Sequence, residues 1–258
     1  MQDYGVVMSG GGIKGVAHLA FLEKVEQEFG TPRYLSGSSA GALVGACYAA
    51  GMRTKEVIKF FKQLPIFRIS WVSTNKPGII DTDNYLKVLE KYLPKTFEEL
   101  SGYLSIAVVN LEESKVEYID SGNLYPAILA SCAIPFIYSP VVINNKLYAD
   151  GGIIDNFPIS PLLDKDVPIL GSYVTHPGSK TKKQLNTSFR VINHANYLLL
   201  HAANKYKFNW ACHTVEFKLS NYRTLDNKKI DEVYQIAKET MTKEKITLKK
   251  QPNEISVH

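Results

Sequence analysis

The sequence predicts an α/β fold, specifically a three-layer α/β/α arrangement with a mainly parallel central sheet. Two strand–turn–helix units follow each other within the first fifty residues. A continuous apolar run over residues 167–173 is typical of a strand covered on both faces, and amphipathic helical patterns alternate with the other strands. Because a strand–helix–strand connection leaves its two strands parallel, these observations favour one sheet with helices on both faces.

The two N-terminal units both place glycine where a strand turns into a helix. In the first, an apolar run over residues 4–9 stops at three consecutive glycines, and apolar residues then recur at helical spacing from Lys14 onward. In the second, a short strand at Tyr34 and Leu35 leads into a Gly-Ser-Ser-Ala-Gly turn. A helix of small residues follows and ends at Gly51, a residue suited to the left-handed helix cap.

The same periodicities predict the later elements. Helices are expected over residues 54–64, 82–92, 124–131, 190–210 and 230–248. Strands are expected over residues 104–111, 116–119, 167–173 and 213–217, with a hairpin over 141–148 that turns at Asn144-Asn145. Residues 65–80 contain aromatic side chains without a clear period, and the sequence leaves open whether they form an interfacial lid or pack on the core.

Composition narrows the class of protein. A chain of 258 residues with 45% hydrophobic residues and no low-complexity tract is globular rather than disordered. Its three cysteines lie far apart without C-x-x-C spacing, which indicates neither a disulfide framework nor a cysteine zinc site. No basic signal-peptide region precedes the first apolar run, and no run approaches the roughly 18 apolar residues of a membrane span. We therefore expect a cytoplasmic protein that meets membranes only peripherally, while export without a cleaved signal stays open.

The charge pattern does not indicate nucleic-acid binding. The net charge of +5 is small for this length and would suit any anionic surface. The densest lysine run, over residues 227–251, interleaves four carboxylates among its lysines. Such a mixture is typical of a solvated helix face, so we expect no nucleic-acid partner.

The segment Gly37-Ser38-Ser39-Ala40-Gly41 fits G-x-S-x-G in one frame, with Ser39 at its centre. A serine on a sharp strand-to-helix turn has a strained backbone, and the residues two before and two after pack too closely for side chains, which explains Gly37 and Gly41. The positive end of the following helix favours the alkoxide and the oxyanion that forms next. The motif is short, however, and also occurs by chance.

Gly10, Gly12 and Gly15 fit G-x-G-x-x-G, the pattern of a dinucleotide-binding turn. The next strand ends without the carboxylate that would hold a ribose, which disfavours a nucleotide cofactor. The amides of Gly10, Gly11 and Gly12 remain as a site for an anion or a developing oxyanion, with Gly11 and Gly12 as the main donors. Lys14, in the first turn of the helix, is either a phosphate- or anion-binding residue or a solvated surface lysine.

A serine nucleophile needs a general base, and two residues are candidates. Among six histidines, His176 directly follows the predicted buried strand, where an α/β-hydrolase would place a triad histidine. Asp150 begins an Asp-Gly-Gly segment that would present its carboxylate at the apex of a turn. A partly desolvated carboxylate, with its pKa raised toward neutrality, also serves as a base. These residues alone leave both candidates open.

Five segments occur in a characteristic order: Gly10-Gly11-Gly12-Ile13-Lys14-Gly15, Gly37-Ser38-Ser39-Ala40-Gly41, Ala130-Ser131-Cys132-Ala133-Ile134-Pro135, Asp150-Gly151-Gly152 and Asn156-Phe157-Pro158. In this combination they resemble the patatin-like phospholipase family. The resemblance covers about residues 4–160, and we expect the remaining helices to complete a single domain over residues 1–258.

The resemblance implies a lipid acyl hydrolase in which Ser39 and Asp150 form a catalytic dyad without histidine and the glycine-turn amides form the oxyanion hole. Hydrolysis would pass through an acyl-enzyme and would require no metal or other cofactor. The implied substrates are phospholipids, lysophospholipids or other acyl-ester lipids. The family often carries arginine where Lys14 stands, and lysine keeps the charge without the planar fork.

Two alternatives accompany this hypothesis. One is a different enzyme, either a histidine-triad esterase or an acyltransferase using His176. The other is a non-catalytic lipid-binding domain that retains the fold. The headgroup, the acyl chain, the position of cleavage, the oligomeric state and the biological role are beyond what the sequence indicates.

Overall fold

The structure is a computed structural model that describes residues 2–64, 83–135 and 137–249. The strands are β1 (Gly5–Met8), β2 (Tyr34–Ser38), β3 (Tyr103–Asn110), β4 (Lys115–Ile119), β5 (Val141–Ile143), β6 (Lys146–Asp150), β7 (Ile169–Tyr173) and β8 (His213–Glu216). The helices are α1 (Ala17–Phe29), α2 (Ala40–Ala49), α3 (Thr54–Gln63), α4 (Asp83–Tyr92), α5 (Leu124–Ser131), α6 (Ser160–Leu163), α7 (Ser188–Lys205) and α8 (Ile230–Lys243). The aromatic segment over residues 65–80 lies outside the described residues.

Two helices end earlier than the sequence predicts. α7 ends at Lys205, and the chain continues as a tighter 3-10 turn, Tyr206–Trp210. α8 ends at Lys243 instead of residue 248, because the backbone becomes extended at the next residue. Ile246 and Leu248 pack against the core at alternate positions, which is the period of an extended chain and not of a helix. The hairpin turn is confirmed, with positive φ at both Asn144 and Asn145.

The sheet has eight strands among the described residues, in the order β5-β6-β3-β2-β1-β7-β8, with β4 also paired to β3. The pairs β3-β2, β2-β1, β1-β7 and β7-β8 are parallel. The pairs β3-β4, β3-β6 and β5-β6 are antiparallel. The predicted mainly parallel sheet is therefore confirmed, with an antiparallel extension at one end.

Apolar side chains form a core on each face of the sheet. On β1, Val6 and Met8 belong to the larger core, whereas Val7 belongs to a smaller one with Phe157 and Tyr173. Successive strand residues point to opposite faces, so a strand buried on both faces is apolar throughout. The two cores confirm the three-layer arrangement. No helix of the described part of the chain combines the length and apolarity needed to cross a membrane.

The middle strand β3 brings two distant parts of the chain together. β2 pairs with its first half, ending at Ser38 opposite Ala107. β4 pairs with residues 106–110 of β3 and shares Ile106 and Ala107 with β2, so β4 and β2 lie on opposite edges of β3. β6 pairs with Val108 to Asn110, where β4 is also paired, so β6 lies on the same edge as β2. β6 is antiparallel, and its last residue, Asp150, pairs with Val108. The register therefore places Asp150 beside the end of β2.

A buried ion pair fastens the segment after β6. Lys207 Nζ donates to Asp155 Oδ1 at 2.6 Å, with side chains 8% and 3% exposed. Tyr118 Oη and the amide of Phe157 also donate to the Asp155 carboxylate, at 2.7 Å and 3.1 Å. These donors satisfy a carboxylate that has lost its hydration, and they link the 3-10 turn after α7 to the loop after Asp150.

Replacing Lys207 leaves Asp155 buried without its charge partner. We expect Lys207→Met to lower the free energy of unfolding by about 3–5 kcal/mol. The matched substitution Lys205→Met removes an exposed lysine two residues earlier and should change it by less than about 0.5 kcal/mol. Urea denaturation of both variants measures the difference, and equal stabilities would contradict the assigned role of the pair.

Candidate active site

Ser39 lies at the junction of β2 and α2 with a strained backbone. Its φ of 51° and ψ of −118° are unusual for a residue other than glycine. A Cβ at Gly37 would lie 2.4 Å from the backbone carbon of Gly41, and one at Gly41 would lie 2.2 Å from the Met8 oxygen. The predicted close packing on both sides of the serine is therefore present, and α2 begins directly after Ser39 with its N-terminus at the serine.

Ser131 holds the strained backbone in place. The Ser39 amide donates to Ser131 Oγ at 2.8 Å, and Ser131 Oγ donates to the Ala107 carbonyl oxygen at 2.7 Å. Ser131 is fully buried at the end of α5. Sequence reasoning did not assign it a role, although it lies within the segment that precedes the aspartate in the family resemblance.

The Asp150 carboxyl group lies next to the Ser39 side chain. The Ser39 hydroxyl is close enough to lower the pKa of the Asp150 carboxyl group, and both residues are 6% exposed. The amide of Gly152 donates to Asp150 Oδ1 at 2.7 Å. Burial raises the pKa of Asp150 to about 7, against the opposing effects of the Gly152 amide and the Ser39 hydroxyl. Near neutral pH the carboxyl therefore exchanges a proton readily.

The glycine turn presents two amides that have no acceptor among the described residues. The Gly10 amide donates to the Asn156 carbonyl oxygen at 3.3 Å. Within the described segments, no hydrogen bond engages the amides of Gly11 or Gly12. At Gly12, φ is +60° and a Cβ would lie 2.2 Å from the Thr224 oxygen, so a side chain is excluded there. The turn thus offers Gly11 and Gly12 as donors, and Gly10 as a fixed support.

A buried histidine braces the start of that turn. His18 Nε2 donates to the Ser9 carbonyl oxygen at 2.8 Å, and His18 Nδ1 accepts from Ser172 Oγ at 2.7 Å. Burial lowers the pKa of His18 to about 4, so the ring is neutral at physiological pH. Ser9 Oγ also accepts the Val174 amide at 2.9 Å. These bonds connect α1 to the ends of β1 and β7, next to the glycines.

Lys14 is buried, so the alternative of a solvated surface lysine is wrong. It belongs to the 3-10 turn Gly12–Val16, which precedes α1, and its residue is 1% exposed. The ammonium lies 4.3 Å from the centre of the Tyr197 ring. The pKa of Lys180 is lowered mainly by burial and, to a smaller extent, by the nearby charge of Lys14.

His176 follows β7 as the sequence predicts. Its described hydrogen bonds and ring contacts involve residues other than Ser39. Its Nδ1 accepts the Gly178 amide at 3.1 Å, and its ring packs against His201 at 5.3 Å between centres. Glu216, the last residue of β8, joins the two imidazoles, and one ligand atom from each of the three lies within 4.8 Å of the others. Two imidazoles and a carboxylate are ligand types that hold a divalent metal ion.

Comparison with known proteins agrees with these features. The sequence model of the patatin-like phospholipase family matches residues 6–163, more than half of the chain. An uncharacterized NTE family protein of Mycobacterium tuberculosis is 30% identical over 161 residues, which cover 61% of this chain and 44% of that protein. Lysophospholipase NTE1 of Kluyveromyces lactis is 24% identical over 270 residues, covering 91% of this chain and 18% of that protein. The chain spans less than half the length of these relatives.

A solved structure shares the fold. VipD from Legionella pneumophila superposes with a TM-score of 0.53 at 15% sequence identity, covering 93% of this chain and 66% of that chain. Because the match covers 93% of the chain, it extends beyond residue 163, where the family model ends. With the motifs, the strained serine and the family match in agreement, the chain belongs to the patatin-like phospholipase family.

Proposed function

We propose that the protein hydrolyses carboxylic esters of phospholipids or lysophospholipids, with Ser39 as nucleophile and Asp150 as general base. The observation that carries the proposal is the proximity of these two buried side chains, because it sets a serine hydroxyl beside a carboxyl group whose pKa burial raises to about 7. The amides of Gly11 and Gly12, which have no acceptor in the described part of the chain, support it as an oxyanion hole. The name of the yeast relative, a lysophospholipase, agrees with this substrate class.

The proposed reaction has two steps. Ser39 Oγ attacks the ester carbonyl carbon while Asp150 accepts the hydroxyl proton, and the carbonyl oxygen becomes an oxyanion beside the glycine amides. The tetrahedral intermediate expels the alcohol, which takes the proton from Asp150. Water then attacks the acyl-enzyme with Asp150 again as base, releasing the fatty acid and restoring Ser39.

The alternatives have less support. A triad with His176 would require the ring to reach Ser39, whereas its described contacts are with Gly178 and His201. A non-catalytic lipid-binding domain would have no need of a buried carboxyl group beside a serine with a strained backbone. An acyltransferase would use the same acyl-enzyme with an alcohol in place of water, so it differs only in the second step.

Replacing the nucleophile or the base should abolish or strongly lower turnover without unfolding the protein. We expect Ser39→Ala to eliminate p-nitrophenyl butyrate hydrolysis and Asp150→Asn to lower kcat by at least about a hundredfold. Asp150→Asn should melt no lower than the wild type at pH 8, because it removes a carboxylate whose ionised form is disfavoured by burial. Esterase assays and thermal melts measure both effects.

The exposed aspartate Asp164 supplies the matched control, and Asp164→Asn should retain wild-type turnover. Asp150 acts as a base in its ionised form, so kcat/KM of the wild type should rise with pH and level off above about 7. Full activity in Asp150→Asn would contradict the dyad. A loss in His176→Gln equal to that in Asp150→Asn would favour the histidine triad.

We further propose that Lys14 binds the phosphate of the substrate. Lys14 and Lys180 place two ammonium groups near each other, and the ion pairs of the described chain include neither of them. Lys180 Nζ donates to the Ser220 carbonyl oxygen at 2.7 Å, which fixes its position. An anion between the two cations would offset their repulsion, and a phosphodiester beside the glycine turn has the required charge.

Lys14→Met keeps the length of the side chain and removes its charge. We expect it to lower kcat/KM for an anionic phospholipid at least about tenfold, because a hydrogen bond to a charged group contributes about 1.5–3 kcal/mol. Hydrolysis of neutral p-nitrophenyl butyrate should fall much less. Lys182→Met, at an exposed lysine, is the control. Equal losses on both substrates would show that Lys14 supports the turn and does not bind the substrate.

Helix α7 offers a surface for peripheral membrane contact, which we propose as part of the function. Four exposed apolar residues repeat at a spacing of seven along it: Val191 (48%), Ile192 (66%), Leu198 (49%) and Leu199 (68%). This spacing places them on one helix face. Arg190 and Lys205 are exposed near the two ends of the helix. Apolar residues bordered by cations suit the interface of an anionic bilayer.

The double variant Ile192→Glu/Leu199→Glu tests this surface. We expect it to sediment less with vesicles of phosphatidylglycerol and phosphatidylcholine, and to hydrolyse vesicle substrate more slowly, while p-nitrophenyl butyrate hydrolysis is unchanged. Val142→Glu introduces the same charge at an apolar residue that is 65% exposed on β5, and it should behave as the wild type. Wild-type vesicle binding by the double variant would overturn the assignment.

A further inference from the structure

Three ligand-type side chains meet where β7, β8 and α7 come together. His176 lies three residues beyond the end of β7, His201 lies in the last part of α7, and Glu216 is the last residue of β8. One ligand atom from each lies within 4.8 Å of the other two, and all three residues are partly buried. Three separate elements thus deliver two imidazoles and one carboxylate to a single point.

Two of these side chains have buried polar atoms that are unsatisfied. His201 Nδ1 and Glu216 Oε2 have no hydrogen-bond partner among the described residues. They lie 3.9 Å apart, which is too long for a hydrogen bond. Two ligand atoms bound to one zinc ion at about 2.0–2.2 Å and a tetrahedral angle lie about 3.4 Å apart. A closure of about half an ångström would therefore let one ion satisfy both atoms.

The surroundings keep the His201 imidazole available as a ligand. Its ring packs against Tyr173 and Phe208, at 5.6 Å and 6.2 Å between ring centres. These ring contacts leave His201 Nδ1 without a hydrogen-bond partner among the described residues. A divalent ion would satisfy this nitrogen and would place a cation beside the Glu216 side chain.

His176 completes the set at the expense of one hydrogen bond. In the structure its Nδ1 accepts the Gly178 amide. If His176 binds an ion through Nδ1, that nitrogen can no longer accept the Gly178 amide. If it binds through Nε2, Nδ1 carries the ring proton and again cannot accept, so the hydrogen bond is lost in both cases. The lost bond lies in a part-buried turn, and a single such bond contributes only about 0.5–1.5 kcal/mol.

We propose that His176, His201 and Glu216 bind one divalent transition-metal ion of the zinc type, with water in the remaining coordination positions. The ion fastens α7 to the ends of β7 and β8. It also orients Tyr197, which lies one helical turn before His201 and covers Lys14. The site takes no part in the ester chemistry, so the inference stands independently of the proposed function.

Metal titration of the full chain, first stripped with a chelator, tests the site. We expect one equivalent of Co²⁺ to bind with the visible d–d absorption of a low-symmetry site, and Zn²⁺ to displace it. Zn²⁺ should also raise the Tm of the wild type, since an ion that binds only the folded state stabilises it. Glu216→Gln and His201→Gln should each weaken binding at least about tenfold and remove the Tm rise.

His213 and Glu244 supply the matched control, because their Nε2 and Oε2 atoms lie 3.8 Å apart without a third ligand in the described chain. His213→Gln should leave the binding and the Tm rise unchanged. Circular dichroism identifies a variant that fails to fold, and Glu216→Asp then replaces it, with weakened binding expected. The proposal is overturned if the wild type binds no Co²⁺ or Zn²⁺ at micromolar concentrations, or if binding survives in both Glu216→Gln and His201→Gln.

Discussion

The proposed chemistry depends on the way in which strand β3 shares one of its edges between two partners. β2 ends opposite Ala107, and β6 takes over at the next residue, Val108. This change of pairing partner along one edge of β3 places Asp150 beside Ser39, although more than a hundred residues separate them in the sequence. Backbone pairing within one sheet therefore sets the approach of the two side chains. Ser131 extends the same arrangement by joining the Ser39 amide to Ala107.

Close packing at this junction has an electrostatic consequence. Gly37, Gly41 and Gly151 let backbones approach within distances that any Cβ would block, and the resulting burial removes water from Asp150. Desolvation raises the pKa of the carboxyl group, while the amide of Gly152 limits the rise. Burial therefore destabilises the charged form of Asp150, and this same effect makes the carboxylate basic near neutral pH. Such a trade of stability against reactivity is expected at functional positions.

Local patterns predicted the fold class, most element positions and the two residues that meet in the site. The G-x-S-x-G frame identified Ser39, and the glycine turn identified Gly11 and Gly12, because each requirement is local in the chain. The state of Lys14 was not predictable, since its burial depends on Tyr197, which arrives with a distant helix. The same holds for Ser131, and for His176, His201 and Glu216, whose ligand atoms meet only after three elements pack. The end of α8 was missed because Leu248, seven residues after Met241, continues the apolar stripe of the helix by chance.

In the proposed mechanism, burial turns Asp150 into a base that titrates near neutrality beside Ser39. Titration of the Asp150 carboxyl carbon by ¹³C NMR, with the resonance assigned by comparison with Asp150→Asn, measures this property. We expect a midpoint at about pH 7. A midpoint at about 3.9, the value of a solvated aspartate, would contradict the proposed role of Asp150.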